Sequence, residues 1–248
     1  MIAEEKQDLP TLTGVGVGPG DPSQITLAAI MAIQQADRVV APSSSEEAVG
    51  RAESIVRQAC PEVEIERVVI EMSAHYQLGN NPDPTPSPYS QAAARISGWL
   101  DAAESVAFVT LGDPNIYSTF TSISEGVLAL RPATKVETIP GIMAFQVLAS
   151  ATCTTVLDAN QTMTLVTALD GTSDIEEALS DSRRTVVVYK GGRHFPEIAK
   201  LAARYGRLEG SYAGELLGLP GQQICPLSEI ASKPSAYLST IIIPARRP

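Results

Sequence analysis

The sequence predicts an α/β protein, in one large domain or two smaller ones, on three observations. Short runs rich in Val, Ile and Thr alternate with helix-length segments along most of the chain. Glycine-rich corners follow the first and fourth of those strands, GVGVGPGD at 14–21 and LGDP at 111–114. The pattern starts afresh near residue 160, which sets the expected domains at 10–155 and 160–248 of the 248 residues. A chain of that length can bury two separate cores.

In order, TLTGVGV (11–17) is the first strand, closed by GPGD. Asp21 suits an N-cap, with Pro22 at the first position of a helix PSQITLAAIMAIQQA. DRVVAP (37–42) is the second strand, SSSEEAVGRAESIVRQA (43–59) a helix with an acidic first turn, and VEIERVVI (63–70) the third strand. LGNNPDPTPSPYS (78–90) reads as an exposed loop or lid edge. A helix from Tyr89 to Ala103 leads into the buried strand SVAFVTL. A helix over 116–130 follows, then the strand KVETI, and Pro140-Gly141 turns into the helix IMAFQVLASA. The second half offers the strand MTLVTAL, the helix DIEEALSD, the strand RTVVVYK and the amphipathic helix FPEIAKLAARYG. GSYAGELL and YLSTIIIP are its last strands.

Composition narrows the function classes. Hydrophobic residues make up 44% and charged ones 19%, as in ordinary globular proteins. No apolar run reaches the roughly 18 residues of a membrane helix, and MIAEEKQDLP reads as a short disordered lead-in rather than a secretory signal. The three cysteines, Cys60, Cys153 and Cys225, have no C-x-x-C spacing, which argues for reduced thiols and a cytoplasmic protein. His75 and His194 sit in no ligand-like cluster, so no metal site is expected. A net charge of −10 disfavours a nucleic-acid partner but leaves room for a polyanionic small molecule held by local Lys or Arg.

The first corner is poorly made for a dinucleotide. Gly14, Gly16, Gly18 and Gly20 alternate, so no G-x-G-x-x-G stands in register, and Pro19 removes a backbone N–H from the arc that would cradle a pyrophosphate. That counts against a nicotinamide-dependent oxidoreductase, the alternative from another class. A non-catalytic ligand-binding α/β protein is a third reading, which the corners permit without favouring.

Taken together, GVGVGPGD, VTLGDPNIYSTF (109–120) and TIPGIMAFQVLAS (138–150) resemble, in order and spacing, the tetrapyrrole methylase family. VTALD, VVVYKGGR and YLSTIIIP fit the same family's second domain, so the resemblance covers nearly the whole chain. The run GDPNIYSTF followed by IPGIMAFQ looks most like the precorrin-2 C20-methyltransferases within it. The resemblance implies two α/β domains with S-adenosyl-L-methionine in the cleft between them, and a homodimer. It implies that Pro19, Leu111, Gly112, Asp113 and Ile116 lie about the cofactor's methionine and ribose, with Met143 and Ala144 at the position after Pro-Gly. Family members often carry Thr or Ser there, so Met143 is a departure. Ala168, Leu169 and Thr240 would contact the adenosine, largely through backbone, with Leu216 or Leu217 as apolar cover.

The substrate so implied, precorrin-2, is a reduced macrocycle bearing eight carboxylates, free or loaded with cobalt. Lys190, Arg193 and His194 in YKGGRH are candidates to face those carboxylates, although plain surface charge explains them as well; Arg38 and Arg131 read as solvated. Methyl transfer from a sulfonium needs chiefly proximity and alignment, worth up to about 7–11 kcal/mol. Asp113 is expected to accept hydrogen bonds from the cofactor or to brace its own turn, not to pair tightly with a charge that disperses in the transition state. Of Tyr117, Ser118 and Thr119 one suffices to cap a helix, which leaves the others for a ligand, Tyr117 foremost and Ser118 as a substrate contact. The base that removes the C20 proton stays open among Tyr117, Asp21, water and a substrate carboxylate.

Overall fold

The computed structural model describes residues 9–70, 88–102, 104–230 and 238–246. Most of the expected disordered lead-in and most of the loop at 78–90 lie outside them. The chain divides into two compact units, 1–142 and 143–248, each built on a five-stranded sheet.

The first sheet runs β3-β2-β4-β1-β5, where β1 is Thr11–Gly16, β2 Arg38–Ser43, β3 Ile65–Val69, β4 Val106–Thr110 and β5 Lys135–Ile139. Every pairing in it is parallel. Helices cover both faces, as parallel sheets require. Ile33 of α1 (Leu27–Gln35) and Ile55 and Val56 of α2 (Arg51–Ala59) pack on one face with Val15, Val39 and Val109. Ile96 and Leu100 of α3 (Pro88–Asp101) and Ile123 and Val127 of α4 (Phe120–Leu130) pack on the other with Leu12, Val40 and Phe108. Strand alternation sorts the residues: Val39 and Val109 go one way, Val40 and Phe108 the other. With β1, β4 and β5 adjacent and parallel, the corners after all three open at one edge of the sheet.

The second sheet runs β6-β7-β10-β8-β9. Its strands are β6 Thr162–Thr167, β7 Arg184–Tyr189, β8 Tyr212–Glu215, β9 Gln223–Pro226 and β10 Ser239–Ile243. Only β6 and β7 are parallel. Val186, Val188, Ile241 and Ile243 face a core with α6 (Ser173–Leu179), α7 (Phe195–Arg204) and Leu227 of α8 (Leu227–Ile230). Val187 and Ile242 face the opposite way, onto Leu148 of α5 (Ala144–Ala151) and Leu217.

Helix α5, which the sequence reading placed in the first domain, therefore belongs to the second unit. Leu148 is fully buried against the second sheet, worth about 2 kcal/mol for a side chain of this size. β9 and α8 were not foreseen; a four-residue edge strand ending in Pro226 carries too little pattern to read.

Three helices begin later than expected. The segment after Asp21 is a 3₁₀ turn, Pro22–Gln24, capped by Asp21; α1 starts only after Thr26, whose Oγ1 accepts the Ala29 N–H at 3.1 Å. The serines at 43–45 form hydroxyl–backbone bonds in place of a helix, Ser43 Oγ to Ala48 O at 2.6 Å and Ala48 N–H to Ser45 Oγ at 3.1 Å. α2 accordingly starts at Arg51. α4 starts at Phe120 because Tyr117 sits at φ 49°, a left-handed conformation that ends any helical register. Arg38 and Arg131, read as solvated charges, are only partly so, because both are ion-paired. Arg38 binds Glu66 and Glu104 and lies over Trp99 at 5.6 Å, and Arg131 pairs with Asp101.

Candidate functional site

The corner after β1 is joined directly to the corner after β4. Gly112 donates its N–H to the Gly18 carbonyl at 2.8 Å, an isolated antiparallel bridge beyond the ends of two parallel strands. Both residues have positive φ, 83° at Gly18 and 71° at Gly112. The corner after β5 closes on the same point. A Cβ on Gly141 would stand 2.1 Å from the Gly112 carbonyl oxygen, and one on Gly16 2.5 Å from that same atom. At Gly16 and Gly141 three backbones pack where no side chain fits, whereas Gly18 and Gly112 are glycines for their positive φ.

Asp113 fastens this arrangement. Its Oδ1 accepts the Asn115 N–H at 2.9 Å and its Oδ2 accepts the Gly141 N–H at 3.1 Å. Asn115 Nδ2 in turn donates to Thr138 Oγ1 at 3.2 Å. Asp113 thus braces its own turn and ties it to the next corner. A carboxylate keeps further lone pairs for a ligand even so.

The hydroxyls beyond it divide in role. Ser118 Oγ meets Thr110 Oγ1 at 2.9 Å and accepts the Phe120 N–H at 3.1 Å, so Ser118 holds the start of α4. Thr119 occupies the cap position with no side-chain bond to the helix. Phe120 drives its ring under β1, where a Cβ on Gly14 would come within 2.5 Å of it, and against Phe108 at 5.9 Å between centroids. Tyr117 and Ile116 stay outward, 49% and 38% exposed. Around Gly112 the direction a Cβ would take is open to at least 4 Å. An open, glycine-floored corner edged by Ile116 and Tyr117 suits a ligand with an apolar chain and a few polar groups.

Pro19 is buried behind this corner, and Leu111 packs partly into the core under it. Asp21 is exposed, and its Oδ1 accepts the Ser23 N–H at 2.8 Å. That bond lowers its pKa, which makes it a weaker base.

In the second unit Tyr189 gathers the expected residues at one end of the sheet. Its phenol oxygen accepts the Phe145 N–H at 3.2 Å at the start of α5, beside Met143 and Ala144. Its carbonyl accepts the Ala168 N–H at 3.0 Å, and in the ladder it stands opposite Thr240. Met143 offers no hydroxyl for a cap, and Gln146 Oε1 takes the Met143 N–H at 2.8 Å instead. Leu217 lies over Gly214, beneath the turn where Leu216 N–H reaches Leu238 O at 3.0 Å. Ala168 is buried and Leu169 half-buried after β6. The backbone of Thr240 is paired on both sides, with Tyr189 and Gly214. Lys190 has φ 57° and donates its N–H to Ser239 O. Arg193 is exposed in a 3₁₀ turn, and His194 Nδ1 lies 3.3 Å from Glu197. Tyr189 was missed by sequence reasoning, because at the end of an apolar strand it reads as core.

The profile of the tetrapyrrole (corrin/porphyrin) methylases matches residues 11–231, from β1 to just past α8. The chain belongs to the tetrapyrrole methylase family. The chain is 27% identical over 240 residues to the cobalamin biosynthesis protein CobIJ of Mycobacterium tuberculosis, covering 96% of this chain and 46% of that one. It thus spans about half the length of that relative. Against the precorrin-2 C(20)-methyltransferase of a Sinorhizobium species it is 25% identical, with 94% of both chains covered. The cobalt-precorrin-2 C(20)-methyltransferase of Salmonella typhimurium is 26% identical, with 94% of this chain and 95% of that one covered. Among solved structures, a cobalamin-synthesis-related protein (CobF) from Corynebacterium diphtheriae superposes with a TM-score of 0.69 at 20% identity, over 96% of this methylase and 99% of that chain. At that identity the likeness speaks for the fold alone.

Proposed function

We propose that this methylase transfers the methyl group of S-adenosyl-L-methionine to C20 of precorrin-2 in cobalamin biosynthesis. One observation carries the choice within the family. The run GDPNIYSTF builds the open corner at Gly112, in a chain that matches a named C20-methyltransferase nearly end to end. The match to a cobalt-precorrin-2 enzyme supports a second reading, in which the same carbon is methylated on the cobalt-loaded ring.

The cofactor supplies an electrophilic methyl on a sulfonium; the C20 electron pair takes it, and the S–C pair returns to sulfur as a thioether. The protein's part is to hold and orient. Gly112 and Leu111 give the methionine and ribose side a backbone floor that Asp113 keeps rigid, with Pro19 behind it and Ile116 covering. Ala168, Leu169, Leu217 and Thr240 receive the adenosine; at the N-terminus of α5 Ala144 adds a backbone donor, and Met143, whose N–H Gln146 holds, adds apolar contact. The residues present fit that group better than a dinucleotide: the corner is open and apolar-edged, and Pro19 has no N–H to give.

Tyr117, exposed beside the open corner, is the better candidate to relay the C20 proton, its hydroxyl passing its own proton to water as it receives that one, while Ser23 makes Asp21 a poor base. Ser118 supports the corner from within, and Lys190 and Arg193 meet substrate carboxylates. The reading carries with it a homodimer and a cytoplasmic location. Among the described residues no helix is long and apolar enough to cross a membrane.

Calorimetric titration with S-adenosylhomocysteine and with NADH tests the class. Binding of the former in the micromolar range or tighter is expected. Tight NADH binding with no response to the homocysteine analogue would overturn it.

A further inference from the structure

A second basic site lies at the opposite end of the second sheet. A concavity of about 240 Å³ is lined by Arg204, Tyr205, Arg207, Arg246, Ser180 and Ser182. It gathers the C-terminal end of α7, the turn before β7 and the chain beyond β10. From there β7 runs five residue steps to Tyr189, roughly 17 Å at about 3.3 Å per residue.

Among the described residues the charges here are not balanced. Arg207 is 4% exposed and spends its guanidinium on carbonyls: Nε to Pro244 O at 3.1 Å, and one terminal nitrogen to Ile243 O at 3.0 Å, Pro244 O at 2.7 Å and Arg184 O at 2.5 Å. Its other terminal nitrogen has only Asp181 O at 3.5 Å, a marginal bond. Arg246 donates to Tyr205 O. Among the described residues neither arginine has a carboxylate within ion-pair distance. Asp181 is the nearest counter-charge, and it is turned to Arg183 and Arg184. Arg204 alone is neutralised, by Glu176 at 2.5 Å. Burial, and then the facing Arg246 charge, lower the pKa of Arg207. Two like charges thus line one notch, one of them buried. That is costly unless an anion joins them.

We infer that this concavity binds a small phosphate-type dianion, inorganic phosphate or the phosphate group of an ester, between Arg207 and Arg246. Two guanidiniums with no carboxylate partner among the described residues match a dianion in charge; the Arg207 nitrogen held only by the marginal Asp181 contact, and the Arg246 nitrogens not engaged with Tyr205 O, keep N–H groups for its oxygens. Ser182 lines the notch and has a hydroxyl to offer, whereas Ser180 Oγ is spent on Glu177 O at 2.6 Å. The site is independent of the methyl-transfer reading, being confined to residues that take no part in it.

The test is titration of the full chain with inorganic phosphate, and separately with glycerol phosphate, by calorimetry and by thermal unfolding against chloride of matched ionic strength. Saturable binding with a rise in Tm beyond the chloride control is expected. Arg246→Gln and Ser182→Ala should weaken it, the former by roughly tenfold or more, as loss of one charged hydrogen-bond partner implies. The tighter of the two ligands identifies free ion or ester as the occupant. No rise beyond chloride, or equal binding by both variants, would overturn the site. Because Arg246 also holds Tyr205 O, both variants are first compared in chloride alone, and Ser182→Ala serves if Arg246→Gln unfolds.

Discussion

Asp113 and Gly141 are joined by a 3.1 Å hydrogen bond from the Gly141 N–H to Oδ2, which ties the corner after β4 to the corner after β5. With the bridge from Gly112 to Gly18, it makes one rigid edge out of three separate turns. If that edge is the cofactor's floor, its stiffness and its affinity should fall together.

Asp113→Ala should therefore lower stability by about 2 kcal/mol, since hydrogen bonds to charged groups are worth roughly 1.5–3 kcal/mol each and this side chain is half-exposed. The same variant should bind S-adenosylhomocysteine about tenfold more weakly, and Asp113→Asn should fall between. Urea unfolding and calorimetry on the three proteins decide it. Unchanged stability would show that the brace contributes nothing.

Gly14 and Phe120 form a lock between β1 and α4. Gly14→Ala places a methyl within 2.5 Å of the ring and should cost about 1–3 kcal/mol, as overpacking does. In a Phe120→Leu background the same change should cost less, with a coupling above about 0.5 kcal/mol in a double-mutant cycle. Strict additivity would mean that the ring simply moves aside.

Glu53 is a buried carboxylate, 0% exposed, bound to Arg67 at 2.7 Å and to Arg57 at 2.7 Å. Arg67 chiefly, with Arg57, holds its pKa below the ordinary 4.5. A depressed carboxylate stabilises the folded state above its unfolded pKa and loses that contribution as pH falls through the folded one. Glu53→Gln should thus cost about 3 kcal/mol at pH 7, as breaking a buried pair does. The gap to the parent protein should shrink below about pH 4.5. Urea midpoints at a series of pH values measure it.

If Tyr117 relays the C20 proton, Tyr117→Phe should lower turnover by about a hundredfold while leaving S-adenosylhomocysteine affinity unchanged. Asp21→Asn should alter turnover no more than about twofold, given the lowered pKa of that carboxylate. The reverse ranking in steady-state kinetics would exchange the two roles.

Most strands were legible because β2, β4, β7 and β10 carry short apolar runs and β1 is a short β-rich run closed by GPGD. Helix starts were not, because they hang on bonds that no periodicity encodes: Thr26 to Ala29, Ser43 to Ala48, and the left-handed turn at Tyr117. The glycines announced a close approach without saying to what. Only the fold shows that Gly16, Gly112 and Gly141 stack on one another. Asp113 was readable as a brace for its own turn, whereas its reach to Gly141, 28 residues on, is a tertiary fact. α5 looked like a continuation of the first half because Pro140-Gly141 follows a strand just as the other corners do, and its partner Tyr189 lies 44 residues beyond Phe145.

The most direct test of C20 methylation is to incubate the purified protein with precorrin-2 and S-adenosylmethionine carrying a ¹³C-labelled methyl, and to locate the label by NMR. A single labelled methyl on C20 is predicted, formed on the metal-free ring or on its cobalt-loaded counterpart. Label on any other carbon, or an unmodified macrocycle from both substrates, would contradict it.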